Sequence, residues 1–499
     1  SQQTFLQDSF LSTLKMSIRT PPTLLELAAK SLLRDQASAI AALEYLPANL
    51  FPYLFVMAYH GGHRPQLLKA VAQAWPFTVL PLGVLRHLFP DHAPTRAMGL
   101  KAVFDALEVL LAQEVRPRRC KLRVRDLRNT GANFWDMWLR VSARNCSPTG
   151  PVTVHSSSPN MKHPLAPLEV FLDLNFNEKD QDEFFMHIIQ WAQQREGLVH
   201  LCCKALRISE VPFQRVRRIL DRVQLDCIQE VKVNCTWDLP TLGTFALYLG
   251  QMSNLQTLYL PHIYVLGERQ KQEEQRSFSQ FLSQMLRLRH LRELDMDSPS
   301  FLRGRLDQML RCLQTPLNKL CLTYCQQLTH SDLTHLFQCP NLRQLKILHL
   351  LGLSLADFSE PLRALLEAVA PTLQDLGLDK CEMADSQVEA ILPVLSRCHQ
   401  LRKFTISINN FPVATVEKLL RHTTGLHSLE VEVYPVPLEC DGIQGTVNQG
   451  RLALIRAELT GVLRELGQPR TIHLATKHRR HRKFYKDMEP AMCPCNDPA

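Results

Sequence analysis

Four side chains near the C-terminal end, His478, His481, Cys493 and Cys495, are of the types that hold zinc, and a Cys2His2 set there would form a structural site. The H-x2-H spacing is tight for a zinc pair, and the arginines of "KHRRHRK" repel a cation. A solvated basic tail is therefore the first expectation, zinc the alternative, and no other cofactor is expected. Catalytic patterns are missing from the chain: it has no GxxxxGK[ST] loop, GxGxxG, HExxH or GxSxG, and its histidines and carboxylates form no spaced constellation. The expectation is a chain that is not an enzyme.

A second group of polar residues recurs between leucines. Tyr259, Glu293, Asp295, Asp297, Asp375, Asp379, Glu430 and Glu432 all fall beside apolar positions of one recurring pattern. That pattern, apolar residues at 1, 4 and 6, appears as "LVHLCC" (198), "IQEVKV" (228), "LQTLYL" (255), "LRELDM" (291), "LNKLCL" (317), "LKILHL" (345), "LQDLGL" (373), "LRKFTI" (401) and "LHSLEV" (426). The intervals run 30, 27, 36, 26, 28, 28, 28 and 25, the spacing of a leucine-rich repeat.

Side chains alternate along a strand, so the leucines of each unit point inward and the residues between them face an open hollow. Such a hollow, rich in carboxylates, suits a basic segment of a partner protein, chiefly through orientation and on-rate. Shortly beyond the third apolar residue this repeat wants Asn or Cys to satisfy backbone groups, and Cys325, Cys381 and Asn409 stand there. Helical spacing between strands, as in Val388, Ile391, Leu392 and Leu395, makes each unit strand, loop, helix. The fold class expected is α/β, a leucine-rich-repeat solenoid (horseshoe) with a helical N-terminal module.

The 499 residues, 45% hydrophobic and 21% charged, are globular in composition. No apolar run is long enough to span a membrane, and "SQQTFLQDSFLSTLKMSIRT" lacks a signal peptide's apolar block, so a soluble, unexported chain is expected. Fifteen cysteines without framework spacing fit a reducing compartment. Basic charge is local: residues 116–128 carry seven Lys or Arg against one Asp, and residues 477–486 carry six with no acid. The expected organisation is an extension (1–15), a helical module with a basic cap (16–143), a flexible Pro/Ser-rich loop (144–167), the repeat domain (168–475) and a basic tail (476–499). The insertion "GERQKQEEQRS" is expected on the surface as a helix or loop.

"LLELAAKSLLRDQASAIAALEYLPANLFPYLF", "LEVLLAQEVRPRRCKLRVRDLR", "FLRGRLDQML", "TLQDLGLDKCEM", "YPVPLE" and the terminal "CPC" resemble the PRAME family, named for the preferentially expressed antigen in melanoma. The resemblance runs from about Met16, a usual family start, to the end. It implies the substrate receptor of a cullin–RING ubiquitin ligase, joined through elongin B and elongin C to a cullin scaffold with its RING subunit and a protein substrate. It also implies a second role, repression of retinoic-acid receptor signalling through LxxLL motifs, with a nuclear receptor or chromatin proteins as partners and no membrane. Nucleus and cytoplasm are the expected locations.

An elongin-binding box needs Ser/Thr-Leu, a small residue and an aliphatic one at helical spacing, and Thr23, Leu24, Ala28 and Leu32 fit, with Ala28 in place of the usual Cys. The register Ser31, Leu32, Gln36, Ile40 would bury a glutamine amide and is set aside. A cullin box follows at Leu46, Pro47, Leu50 and Leu54, with Pro47 starting a short helix. If these boxes dock partners, Leu24 and Leu50 are partly exposed; if the helices only cap the repeats, both are buried. Of the LxxLL motifs, "LRALL" (362–366) sits in a repeat helix where its leucines fill core, and "LEVLL" (107–111) lies in the N-terminal module.

Overall fold

The computed structural model describes residues 24–60, 65–77, 79–81, short pieces between 105 and 126, 167–177, 182–467, 470–475 and 492–494. Residues 1–15, all of the 144–167 segment but its last residue, the leucines of "LEVLL", Thr23, His478, His481 and Cys495 lie outside the described residues. The chain divides into two compact units. The N-terminal unit takes Ser1–Asn175, Asp180–Ala205 and Asp221–Gln224; the C-terminal unit takes Phe176–Lys179, Leu206–Leu220 and Leu225–Ala499.

In the N-terminal unit, helices α1 (Leu24–Leu32), α2 (Gln36–Ala42), α3 (Phe51–His60) and α4 (Pro65–Gln73) precede parallel strands β1 (Val79–Pro81), β2 (Val124–Asp126) and β3 (Leu168–Phe176). Asp35 caps α2, its carboxylate accepting from the Ser38 amide. Pro47 precedes a 3-10 turn (Ala48–Leu50) that runs into α3, where a fixed φ suits a helix start. The core centres on Trp75, whose ring meets Phe55 and Phe77 edge-on at 5.6 and 5.7 Å and whose indole N–H donates to Val79 O at 2.8 Å.

The C-terminal unit alternates strand and helix. Its strands are β4 (Glu230–Asn234), β5 (Thr257–Leu260), β6 (Glu293–Asp297), β7 (Lys319–Thr323), β8 (Ile347–Leu351), β9 (Asp375–Gly377), β10 (Lys403–Thr405), β11 (Val431–Pro435) and β12 (His473–Ala475), each parallel to the next. Strand β13 (Met492–Pro494) closes the edge antiparallel to β12. The result is a mixed α/β fold with a large parallel sheet, as in an α/β solenoid. The fourth repeat position forms one lateral row, Val231, Leu258, Leu294, Leu320, Leu348, Leu376 and Phe404, every member buried. This row packs under the helices and is the spine of the core.

Among those helices, α5 (Leu239–Leu249) and α6 (Lys271–Met285) pack closely because Gly243 admits Ser277: a Cβ there would lie 3.0 Å from Ser277 Cβ. Helix α6 carries the charged insertion, preceded by a 3-10 turn (Glu268–Gln270), and it is largely exposed as expected. Leu362, Leu365 and Leu366 of "LRALL" lie in α7 (Ser359–Val369), and all three are buried, so this motif is core.

Strands end by a repeated device. Ser298, Tyr324, Gly352, Lys380 and Ile408 have φ of 44°, 55°, 72°, 51° and 55°, a left-handed residue at nearly the repeat interval. A β-branched side chain in that region costs about 1–2 kcal/mol. Ile408→Asn is therefore expected to stabilise the protein by about 1 kcal/mol, because asparagine tolerates the left-handed region. Urea unfolding of parent and variant measures it, and a destabilised variant would show that Ile408 contributes more through packing than it loses in strain.

Candidate functional site: an apolar helix face and the open face of the sheet

The α1 helix buries Ala29 and turns another side outward. Leu24 is 83% exposed, Leu27 is 50% exposed, and Ala28 is half-buried between them in helical spacing. These residues form a short apolar stripe facing water, beside a half-buried Leu32. Exposed leucines standing singly are ordinary, but two within one turn with a small residue make a face another helix can approach closely.

The expected cullin-box residues divide. Pro47 is exposed and Leu46 half-buried, but Leu50 is only 6% exposed and Leu54 is fully buried. The expectation that Leu50 is partly exposed is corrected. The 3-10 turn packs against α1 and α3, which places Leu50 and Leu54 in the core of the helical unit beside Phe51 and Phe55.

On the open face of the C-terminal sheet, Tyr259 forms a cationic cluster. Lys319 Nζ donates to its hydroxyl at 2.6 Å, and Lys232 Nζ and Lys319 Nζ stand 4.9 and 5.1 Å from its ring centroid. Burial pulls the Lys319 ammonium down, but the Tyr259 hydroxyl and the nearby Asp295 charge outweigh it and its pKa is raised.

The carboxylates are less available than a free acidic lining would be. Asp295 is buried. Glu293 accepts from Thr257 Oγ1 at 3.0 Å, and Asp297 from Thr323 Oγ1 at 3.1 Å. Asp375 Oδ1 lies 2.8 Å from His349 Nε2, and Gly377 leaves space for that imidazole: a Cβ would be 3.3 Å from His349 Cδ2. Asp379 accepts from the Ser407 amide (2.7 Å), Ser407 Oγ (2.6 Å) and Thr405 Oγ1 (2.9 Å). Glu430 is exposed.

Glu432 requires a correction. Its ladder partner is Phe404, a core residue, whereas Val431 and Val433 align with Lys403 and Thr405 on the open face. Glu432 therefore points inward and is 3% exposed. It pairs bidentately with Arg470, whose Nε lies 2.8 Å from Oε2, and accepts from the Tyr434 hydroxyl at 2.7 Å. Burial raises the Tyr434 phenol well above its ordinary pKa, with the Glu432 charge adding to it. Arg470 also donates to Leu420 O at 2.8 Å and to Thr423 Oγ1. The ninth unit thus begins at Leu429, not Leu426. An interval of 28 residues from Leu401, repeating the three before it, reaches that leucine and was the signal for it.

Among the described residues, no cluster of His, Cys, Asp and Glu has the grouping of a metal site. Of the four tail candidates for zinc, only Cys493 falls within a described element, in the β13 backbone.

Comparison with known proteins covers both units. Family profiles for the PRAME N-terminal domain and the PRAME C-terminal domain match residues 21–135 and 168–495. The chain is similar to human PRAME family member 20, 46% identical over 490 residues that cover 96% of this chain and 100% of the relative. Human PRAME family member 8 is 46% identical over 483 residues (96% and 100%), and human PRAME family member 17 is 41% identical over 468 residues (92% and 95%).

Proposed function

The chain belongs to the PRAME family, and from that membership we propose that it is the substrate receptor of an elongin BC cullin–RING ubiquitin ligase. In this reading the C-terminal unit is a leucine-rich-repeat horseshoe whose open face holds a target protein. The observation that carries the attachment is the outward apolar stripe of α1, Leu24, Leu27 and Ala28. Leu24 enters a pocket of elongin C, and the small Ala28 lets the partner's backbone approach. Elongin B and the cullin with its RING subunit join through that contact, with Leu46 and Pro47 the accessible part of the cullin box. The chain performs no bond chemistry itself. Ubiquitin transfer occurs on its partners, and the receptor raises the target's effective concentration near the ubiquitin carrier. Nucleus and cytoplasm are the compartments this role requires.

Target binding falls first to Tyr259 with its two lysines and to the exposed Glu430, and then to Glu293 and Asp375, which would have to exchange their Thr257 and His349 partners for the target. The buried Asp295 and the internally bonded Asp379 and Asp297 shape the face without meeting the target first. A corepressor role through LxxLL loses "LRALL", whose leucines are core.

Co-purification of the full chain with elongin B, elongin C and the cullin, beside a Leu24→Ser, Leu27→Ser variant, tests the proposal. Both leucines are exposed, so the variant keeps its fold by circular dichroism; Leu50→Ser would unfold the helical unit and tell nothing. The parent is expected to recover the complex and the variant to lose it. A folded parent that captures no elongin would sink the ligase reading.

A further inference from the structure

The strand starts of the C-terminal sheet form a continuous lateral row. Arg292 N donates to Gln256 O (2.9 Å), Asn318 N to Arg292 O (2.7 Å), Lys346 N to Asn318 O (2.7 Å), Gln374 N to Lys346 O (2.7 Å) and Arg402 N to Gln374 O (2.7 Å). Cations therefore alternate with amides along one edge: Arg292, Asn318, Lys346, Gln374, Arg402. The three cations are exposed, as are the flanking Arg289 and Lys403. Among the described residues none of these five makes an ion pair with a carboxylate, whereas the half-buried Arg363 pairs with Glu360 and Glu367 and the exposed Arg397 with Glu367. The row's one carboxylate is Glu430, at its far end, where its amide bonds to Arg402 O at 2.7 Å.

Neighbouring strands lie about 4.8 Å apart, so Arg292, Lys346 and Arg402 repeat about every 9.6 Å. A polyproline II segment has three residues per turn and rises about 3.1 Å per residue, so its side chains at i, i+3 and i+6 share one side and repeat about every 9.3 Å. The two periods match. The amides between the cations suit the unbonded main-chain groups of such a segment. The row carries no aromatic ring for bases to stack on, which disfavours single-stranded nucleic acid.

We propose that this edge binds an acidic protein segment in polyproline II conformation, with a Glu or Asp at every third position meeting Arg292, Lys346 and Arg402. The row's residues are other than those of the α1 stripe and of the open-face cluster around Tyr259, so the proposal goes beyond the ligase reading. A bound acidic segment would also tie a partner along the repeats without occupying that cluster.

Fluorescence anisotropy at low ionic strength tests it with a labelled (Glu-Pro-Pro)5 peptide and a peptide of the same composition whose five glutamates are contiguous. The full chain is expected to bind the first peptide more tightly, and Arg292→Glu, Lys346→Glu, Arg402→Glu to weaken that binding on the order of tenfold or more. A control with the same charge change on α6 and its preceding turn, Arg269→Glu, Lys271→Glu, Arg276→Glu, is expected to bind as the parent does. Equal binding of the two peptides, an equal loss in the control, or no binding by the parent would overturn the proposal. So would tighter binding of a 20-base-pair DNA duplex that the row variant abolishes, which would assign the row to a phosphate backbone. Elongin co-purification by the row variant is expected to be unchanged, which separates this test from the preceding one.

Discussion

Arg470→Met is expected to destabilise the C-terminal unit by about 3–5 kcal/mol, the cost of leaving a buried carboxylate without its countercharge. Glu432 and the arginine are 4% and 10% exposed in their side chains, so water reaches neither freely. The guanidinium does more than neutralise. It spans β11, through Glu432, and α8 (Val413–Thr423), through Leu420 O and Thr423, so its loss also removes one of the donors to a helix-end carbonyl that Thr424 Oγ1 still bonds at 2.8 Å. The paired change Glu432→Leu with Arg470→Met removes both charges and keeps volume, and it is expected to recover most of the loss, because a buried ion pair contributes little net stability over an apolar replacement. Urea unfolding of the parent, the single variant and the double variant decides it. A single variant within about 1 kcal/mol of the parent would mean that Glu432 is hydrated or protonated at little cost, and the network would not be a structural lock.

The same residues show where the chain's pattern is legible and where it stops being so. From Ile228 to Leu401 the 1, 4, 6 rule works because each marked side chain enters one dry layer, where only apolar groups are stable unpaired. In the ninth unit the layer contains its own cation, so a carboxylate can occupy position 4, and apolar Val431 and Val433 come to the open face. Hydropathy alone then favours a phase three residues early, and on a strand a slip by an odd number exchanges the two faces. The spacing of 28 carries the correct phase because it follows from stacking geometry and not from side-chain polarity.

In the N-terminal unit the ambiguity is of another kind. Leucines at helical spacing look alike whether they meet a partner or their own core. Leu24 and Leu50 have the same side chain; the first turns outward because Ala29 and the half-buried Leu25 occupy the inner side of α1, while Leu50 is folded under by the turn that Pro47 begins. The open-face carboxylates are likewise correctly placed by alternation, apart from Glu432, but alternation does not tell which are already bonded. Thr257, Thr323, Thr405 and Ser407 supply those bonds from the neighbouring repeat, 26 to 36 residues away in sequence. No local motif marks such a pair.

Asn409→Ala is expected to cost on the order of 3 kcal/mol, a penalty concentrated at the end of β10 and the turn after β9. The asparagine is fully buried, and its amide joins two consecutive repeats. Its Oδ1 accepts from the amides of Cys381 and Met383, both at 3.1 Å, and its Nδ2 shares its two hydrogens among Leu378 O, Ile406 O and Ser407 O at 2.9, 3.0 and 3.2 Å. Those groups sit where the chain leaves the strand through left-handed Lys380 and Ile408, where the regular ladder ends and the side chain takes over its bonding. Alanine leaves the two amides and the Leu378 and Ile406 carbonyls without that side chain's bonds, while Ser407 O keeps the Lys380 amide at 3.0 Å. Cysteine at the equivalent offset behaves differently: Cys381 Sγ donates to Leu350 O at 3.0 Å and to Asp379 O at 3.3 Å. A thiol is a weak donor and a weaker acceptor. Asn409→Cys is therefore expected to fall between parent and alanine, and Cys381→Ser to cost about 1 kcal/mol or less. Hydrogen exchange supplies the local readout: the Cys381 and Met383 amides should lose protection in Asn409→Ala, beyond any global loss. If the alanine variant is destabilised while those two amides stay protected, water has replaced the side chain, and the asparagine serves the ladder by shape more than by hydrogen bonding.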